Sequence, residues 1–384
     1  MPPLNLMFKT VSSCNLGCSY CYYHQSIKDT EQSTVLPLKS LEVFVPQYME
    51  YIADSHQAGF SWQGGEPTLA TLNYFQRVMN LEAKSAMPHT VISNGIQTNG
   101  ILIDNNWAKF FHEYRFLVGI SLDGPEFIHN MERRDKSGHG SFNRVMAGIN
   151  TLRKYDIDLN ILCVVGNHNV TRISELLDFF RREQLGYLQF IPAMAFDATD
   201  PMHTPAYLIT PEQYGNFLVS LFDEWYQNGI PTISIRIFNN LLQTLVGVDN
   251  DLCIQSNNCD ASLVVDENGD VYPCDFYIHP SWKLGNIIET PMKALIENPL
   301  RTIFLKRKEA LSVECQNCKW VRVCRGECPR NRLQGEHFSS PNYFCASYKV
   351  LLNHAYLKLQ QLARRLSNYQ QLLNKNQISI SQKL

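Results

Sequence analysis

The chain has 384 residues, 45 % hydrophobic and 18 % charged, with 18 tyrosines and 20 phenylalanines, and so carries enough apolar surface to exclude general disorder. A formal charge of −2 and a pI near 6.6 provide no field for gathering nucleic acid or anionic lipid, and neither is expected as a partner. No basic segment followed by an apolar one opens the chain, and no apolar run reaches the roughly 18 residues that span a bilayer, so the cytoplasm is the expected location.

Short apolar strands are expected at 4–8, 60–62, 91–92, 116–120, 161–165 and 188–191, with helix-periodic stretches at 41–52, 72–81, 142–152 and 173–180. Strands that are apolar on both faces and alternate with helices imply an α/β fold with a parallel sheet covered by helices. Six such units fit a partial barrel or an open doubly wound sheet, and periodicity does not separate the two. Beyond residue 200 the rhythm changes to a connector at 199–211, a helix at 212–226 and a strand at 232–238. Asn268-Gly269 then marks a hairpin across 263–272, because these residues adopt positive φ most easily. A last helix is expected over 348–373, followed by a polar tail with little to bury.

Twelve cysteines in a reducing compartment point to metal rather than disulfides. Cys14-x3-Cys18-x2-Cys21 follows the first strand, where α/β folds place ligand sites. Three thiolates at that spacing suit three irons of a cubane and leave the fourth open for chemistry. A zinc knot completed by His24 is the alternative. Cys253, Cys259, Cys274, Cys315, Cys318, Cys324, Cys328 and Cys345 number eight, enough to close two four-iron clusters. A zinc ribbon at 315–328 would leave the others unexplained. Cys163 lies in an apolar strand and reads as a core thiol.

The C-x3-C-x-aromatic-C motif resembles the radical S-adenosylmethionine superfamily. Gln63-Gly64-Gly65-Glu66-Pro67, Gln97-Thr98-Asn99-Gly100, Ser121-Leu122-Asp123-Gly124-Pro125 and Tyr272-Pro273-Cys274-Asp275-Phe276-Tyr277 resemble segments of its anaerobic sulfatase-maturating enzymes. The later cysteines, with Gly269, resemble the SPASM extension. This resemblance implies a partial (β/α)6 barrel over 1–230, a SPASM domain over 231–355 and a terminal helix with tail over 356–384. It also implies S-adenosylmethionine and three [4Fe-4S] clusters as cofactors, the open one on Cys14, Cys18 and Cys21. Cys253, Cys259, Cys274 and Cys328 would hold the first auxiliary cluster, and Cys315, Cys318, Cys324 and Cys345 the second. By the same resemblance Tyr20 backs the adenine and Met194 flanks it, Gly64, Gly65 and Glu66 form the methionyl-amine segment, Ser121 contacts the ribose side and Arg133 reaches the carboxylate.

The implied activity is oxygen-independent oxidation of a cysteine or serine in an unfolded sulfatase, within Cys/Ser-x-Pro/Ala-x-Arg, to Cα-formylglycine by a 5'-deoxyadenosyl radical. Asp275 is the expected base, and flavodoxin or ferredoxin the expected electron donor. The alternatives are a SPASM maturase that crosslinks peptides and a non-catalytic cluster scaffold, with the Asp275 segment favouring sulfatase maturation over crosslinking. Two departures from the family pattern stand out: Glu327 where a second glycine is usual, and Gly95 where a small polar residue is expected.

Overall fold

The computed structural model describes residues 4–23, 34–194, 205–259, 262–332 and 340–381, with side chains through residue 368. His24 and residues 199–204 of the expected connector lie outside the described residues. Six parallel strands alternate with helices: β1 (Asn5–Val11), α1 (Leu38–Tyr51), β2 (Gln57–Gly64), α2 (Leu72–Ser85), β3 (Val91–Thr98), α3 (Asn105–Glu113), β4 (Leu117–Ser121), α4 (Glu126–Glu132), α5 (Phe142–Arg153), β5 (Leu159–Val165), α6 (Ile173–Arg182) and β6 (Tyr187–Pro192). They lie side by side in chain order. A doubly wound sheet would reverse its order at a switch point, so this is the partial barrel.

The two faces of the barrel strands differ. Leu6, Phe8, Phe60 and Trp62 are buried on one face, where Phe8 stacks on Trp62 at 4.8 Å and Phe75 of α2 meets Trp62 edge-on. Strand alternation sends Lys9, Gln63, Gln97 and Ser121 to the opposite face, and Lys9 pairs in register with Gln63. The inner face is therefore polar at the strand ends. That polarity is why the apolar runs underestimated β2 and β3: both continue through Gln63-Gly64 and Gln97-Thr98, beyond their hydrophobic cores.

The C-terminal region joins the same sheet. Helix α7 (Pro211–Tyr226) opens with a capping box between Thr210 and Gln213, and buries Tyr214, Phe217, Leu218, Leu221, Phe222 and Trp225 at helical spacing. The expected strand at 232–238 is corrected to a two-residue β7 (Ser234–Ile235) followed by α8 (Arg236–Val246). Ile237, Phe238, Leu241 and Leu242 repeat with period 3.6, and burial of that stripe overrides the short alternation before it. The hairpin forms as expected, with β8 (Leu263–Val265) against β9 (Asp270–Tyr272). Gly269 takes φ +83, while Asp266 Oδ1 accepts from the backbone N–H of Asn268 and Asp270, each at 2.9 Å. β8 pairs parallel with β1, and β10 (Gly285–Asn286) completes the sheet beyond β9.

Short helices α9 (Met292–Ile296), α10 (Pro299–Lys306), α11 (Val313–Gln316) and α12 (Val321–Cys324) follow. The last helix, α13 (Cys345–Ser381), is longer at both ends than its apolar pattern suggested, and docks Tyr348, Leu351, Leu352, Ala355 and Leu359 into the core.

Candidate active site

The first cysteine loop leaves β1 and is held by its neighbours. Gly17 N–H donates to Arg134 O at 2.8 Å, Leu16 N–H approaches Cys14 Sγ at 3.4 Å, and Asn99 Nδ2 donates to Asn15 Oδ1 at 2.7 Å. The Gly64-Gly65 turn packs directly beneath. A Cβ on Gly65 would lie 2.1 Å from Ser13 O, so no side chain fits between this turn and the cysteine loop. Glu66 is buried, and its carboxylate accepts from Thr68 N–H (3.1 Å), Thr68 Oγ1 (2.6 Å), Thr98 Oγ1 (2.6 Å) and Asn99 N–H (2.8 Å). It thereby ties the ends of β2 and β3 together.

A second group of side chains centres on Asp123, which is fully buried just past β4. Its Oδ2 accepts from Arg133 Nε at 2.9 Å and from the Tyr20 hydroxyl, and its Oδ1 from Val164 N–H at 3.0 Å. Burial is the largest single influence and would raise this carboxyl, but the Arg133 guanidinium, His129, His168 and the Tyr20 hydroxyl together hold the group below its ordinary value. Arg133 also lies over the Tyr20 ring, 5.4 Å from its centroid, and His168 stacks on the same tyrosine with ring centroids 6.0 Å apart. Burial lowers His129 to about 3, so it is neutral, accepting from Asp123 N–H at Nδ1 and facing Ser141 Oγ through Nε2. Ser121 accepts from Gln97 Nε2 at 3.1 Å. Met194 is buried two residues past β6.

Asp275 follows β9 directly after Cys274. Its Oδ2 accepts from the Tyr22 hydroxyl at 3.1 Å and lies 3.8 Å from Lys9 Nζ. Its Oδ1 faces Cys274 Sγ at 3.6 Å. Asp275 and the first cysteine loop therefore meet, although 253 residues separate Tyr22 from Asp275.

The remaining thiols sort by neighbourhood. Cys274 has Cys328 and Cys253 as electrostatic neighbours, and Cys259 has Cys328. Cys315, Cys318, Cys324 and Cys345 line one cavity with Trp320 and Tyr348. Burial pushes Cys14 up to about 11 and Cys18 and Cys324 up to about 12, so as free thiols they would stay protonated. Grouped, buried sulfurs become thiolates only beside a soft cation, and that donor set fits iron-sulfur clusters. Among the described residues no three His, Cys, Asp or Glu side chains converge on a single-ion position; a cubane, with one sulfur per iron corner, asks for wider spacing. Cys163 is fully buried on β5, as a packing thiol should be.

Glu327 does not face solvent. It is buried at φ +57, directly after Arg325 and Gly326 at φ +56 and +68, a left-handed run that accounts for glycine being usual there. Burial raises its carboxyl to about 7. A Cβ at Gly95 would meet only Leu117 O, at 3.7 Å, so that departure costs no space.

Several site residues escaped the sequence reading. Lys9 carried a signal, a lone charge continuing an apolar strand. Tyr22 and His168 carried none, because their partners are distant in sequence, and nothing in its local pattern singled out His129.

The sequence profile of the Radical SAM superfamily matches residues 8–180, and that of SPASM, an iron-sulfur cluster-binding domain, matches 253–319. The cysteine-type anaerobic sulfatase-maturating enzyme of Clostridium perfringens is 37 % identical over 375 residues, covering 95 % of this chain and 100 % of that one. The serine-type enzyme of Bacteroides thetaiotaomicron is 33 % identical over 387 residues, covering 96 % and 93 %. The solved structure of native anSMEcpe with bound AdoMet and Cp18Cys peptide superposes with a TM-score of 0.88 at 37 % identity, over 95 % of this chain and 100 % of that one.

Proposed function

We infer that this chain, which belongs to the anaerobic sulfatase-maturating enzymes of the radical S-adenosylmethionine superfamily, oxidises a cysteine or serine of a sulfatase polypeptide to Cα-formylglycine. Its cofactors are S-adenosylmethionine, a [4Fe-4S] cluster that binds it, and auxiliary clusters of the SPASM region. When bound, these supply a 5'-deoxyadenosyl radical that removes a Cβ hydrogen from the target residue, together with an acceptor for the electron that leaves afterwards.

The chain's own residues do the rest. Cys14, Cys18 and Cys21 would hold the S-adenosylmethionine cluster, and the two groups of four thiols the auxiliary ones. Gly64 and Gly65 bring backbone close to the methionyl amine, with Glu66 fixing their turn. Arg133, oriented by Asp123, would hold the methionyl carboxylate; Ser121, oriented by Gln97, would hold the ribose side; Tyr20 and Met194 would enclose the adenine. Asp275 accepts the substrate's thiol or hydroxyl proton when its Cβ radical is oxidised, which requires a separation of about 2.6–3.2 Å in the productive pose. The wider proposal includes a Cys/Ser-x-Pro/Ala-x-Arg motif in an unfolded target, flavodoxin or ferredoxin as reductant, and work in the cytoplasm. No helix among the described residues is long and apolar enough to cross a membrane.

The observation that carries these roles is the contact between Asp275 and Tyr22, which puts a carboxylate beside the loop where the radical would be generated. Asp275→Asn should continue to cleave S-adenosylmethionine yet lose most formylglycine formation, measured as product per 5'-deoxyadenosine released. Normal product yield from that variant would remove Asp275 from the mechanism.

A further inference from the structure

Lys9 is 1 % exposed, and an ammonium sealed from water needs an anionic partner. Its partner is Asp275, 3.8 Å away, and it also lies 3.3 Å from the Tyr22 hydroxyl and over the rings of Tyr22 and Tyr23 at 5.5 and 5.2 Å. Tyr22 donates to the same carboxylate oxygen, Oδ2, at 3.1 Å. Its ring packs on Phe276 at 5.0 Å, and the guanidinium of Arg330 covers Phe276 at 3.8 Å. Three elements thus converge on one oxygen: strand β1 through Lys9, the first cysteine loop through Tyr22, and the segment after β9 that carries Asp275.

We propose that Lys9 and Tyr22 form a clamp on Oδ2 of Asp275 that turns Oδ1 toward the substrate, making them positioning residues for the proton-transfer step. This rests on the reading of Asp275 as the base. Oδ1 has Cys274 Sγ as its neighbour, and a Cys274 thiolate bound to iron has no proton to donate to it. Oδ1 is then the oxygen with lone pairs available for the substrate proton. In the step it serves, the S–H or O–H bond breaks, the proton goes to Oδ1, one electron goes to an iron-sulfur acceptor, and the carbon–sulfur or carbon–oxygen double bond forms. With the clamp loosened, the carboxylate can turn away. Radicals formed on the peptide then go unconverted while S-adenosylmethionine is still consumed.

The test uses the reconstituted holoenzyme, a cysteine-containing sulfatase peptide, and the ratio of 5'-deoxyadenosine released to formylglycine formed. Tyr22→Phe removes one hydroxyl and keeps the ring that packs on Phe276. It should raise that ratio about ten-fold, the usual effect of losing a hydrogen bond to a charged group, with peptide KM little changed and the iron content of wild type. Lys9→Met should raise it further, and Lys9→Arg should recover part of the loss. A wild-type ratio in Tyr22→Phe beside an uncoupled Asp275→Asn would overturn the clamp and leave the base standing. Full product from Asp275→Asn would overturn both.

Discussion

Lys9 and Glu82 are both ionisable groups sealed inside the barrel wall, and the protein treats them in opposite ways. Lys9 has the carboxylate of Asp275 3.8 Å away, whereas Glu82 on α2 has no ion-pair partner among the described residues and accepts at Oε2 from the Asn94 amide at 2.8 Å. Burial raises Glu82 from its ordinary 4.5 to about 8. The folded chain therefore retains a proton that the unfolded chain releases above 4.5, and this contribution to stability is complete below 4.5 and lost as pH rises through 8. Glu82→Gln cannot ionise and should be stabilised relative to wild type with rising pH, by up to about 1.4 kcal/mol per unit within that window. Apparent melting temperatures at pH 5 and pH 8 check this: the gap between variant and wild type should widen at pH 8, and an equal gap at both would contradict it. Glu82 gave no warning in the sequence. It sits on an amphipathic helix at a position an apolar residue could fill, and its need for Asn94 appears only once β3 lies beneath α2.

Among the structural elements, the best-defined relation is between the β1 and β2 loops. Gly65 N–H donates to Val11 O at 2.8 Å and Glu66 N–H to Ser13 O at 2.9 Å, so the glycine turn serves as the floor of the cysteine loop. Gly65→Ala would place a methyl 2.1 Å from a backbone oxygen that cannot swing aside, and must displace the loop. On the proposal of three four-iron clusters, the expected result is loss of the one on Cys14, Cys18 and Cys21 alone, a fall of about one third in iron per chain. Unchanged iron with unchanged spectra would show that the loop tolerates the shift. The sequence revealed the Gly-Gly pair but suggested a different reason for it, an approach to the methionyl amine. The strands show a related pattern: where they were hard to read, at Lys9-Thr10, Gln63-Gly64 and Gln97-Thr98, polar residues of the site interrupt the apolar run. At 232–238 the failure was different, because an amphipathic helix follows directly on two residues that pair with β6.

At the scale of the molecule, one sheet carries both cysteine regions. β8 pairs with β1, so the hairpin that leads to Cys274 and Asp275 is fixed to the strand that leads to Cys14, and α13, which opens at Cys345, packs Tyr348 against Tyr214 of α7. The cysteine runs were legible because they are written locally, in C-x3-C-x2-C and C-x2-C-x5-C-x3-C, whereas their division into clusters came from the family resemblance. The meeting of Lys9, Tyr22 and Asp275 was not legible, because only the pairing of β8 with β1 brings residues so distant in sequence together. The central claim is that this assembly is a formylglycine-forming radical enzyme. The direct measurement is anaerobic incubation of the reconstituted protein with S-adenosylmethionine, a reductant and paired peptides carrying cysteine or serine in a Cys/Ser-x-Pro/Ala-x-Arg context, read by mass spectrometry. Conversion of at least the cysteine peptide to the aldehyde, in step with 5'-deoxyadenosine, is the predicted result. Release of 5'-deoxyadenosine with both peptides unchanged would contradict it.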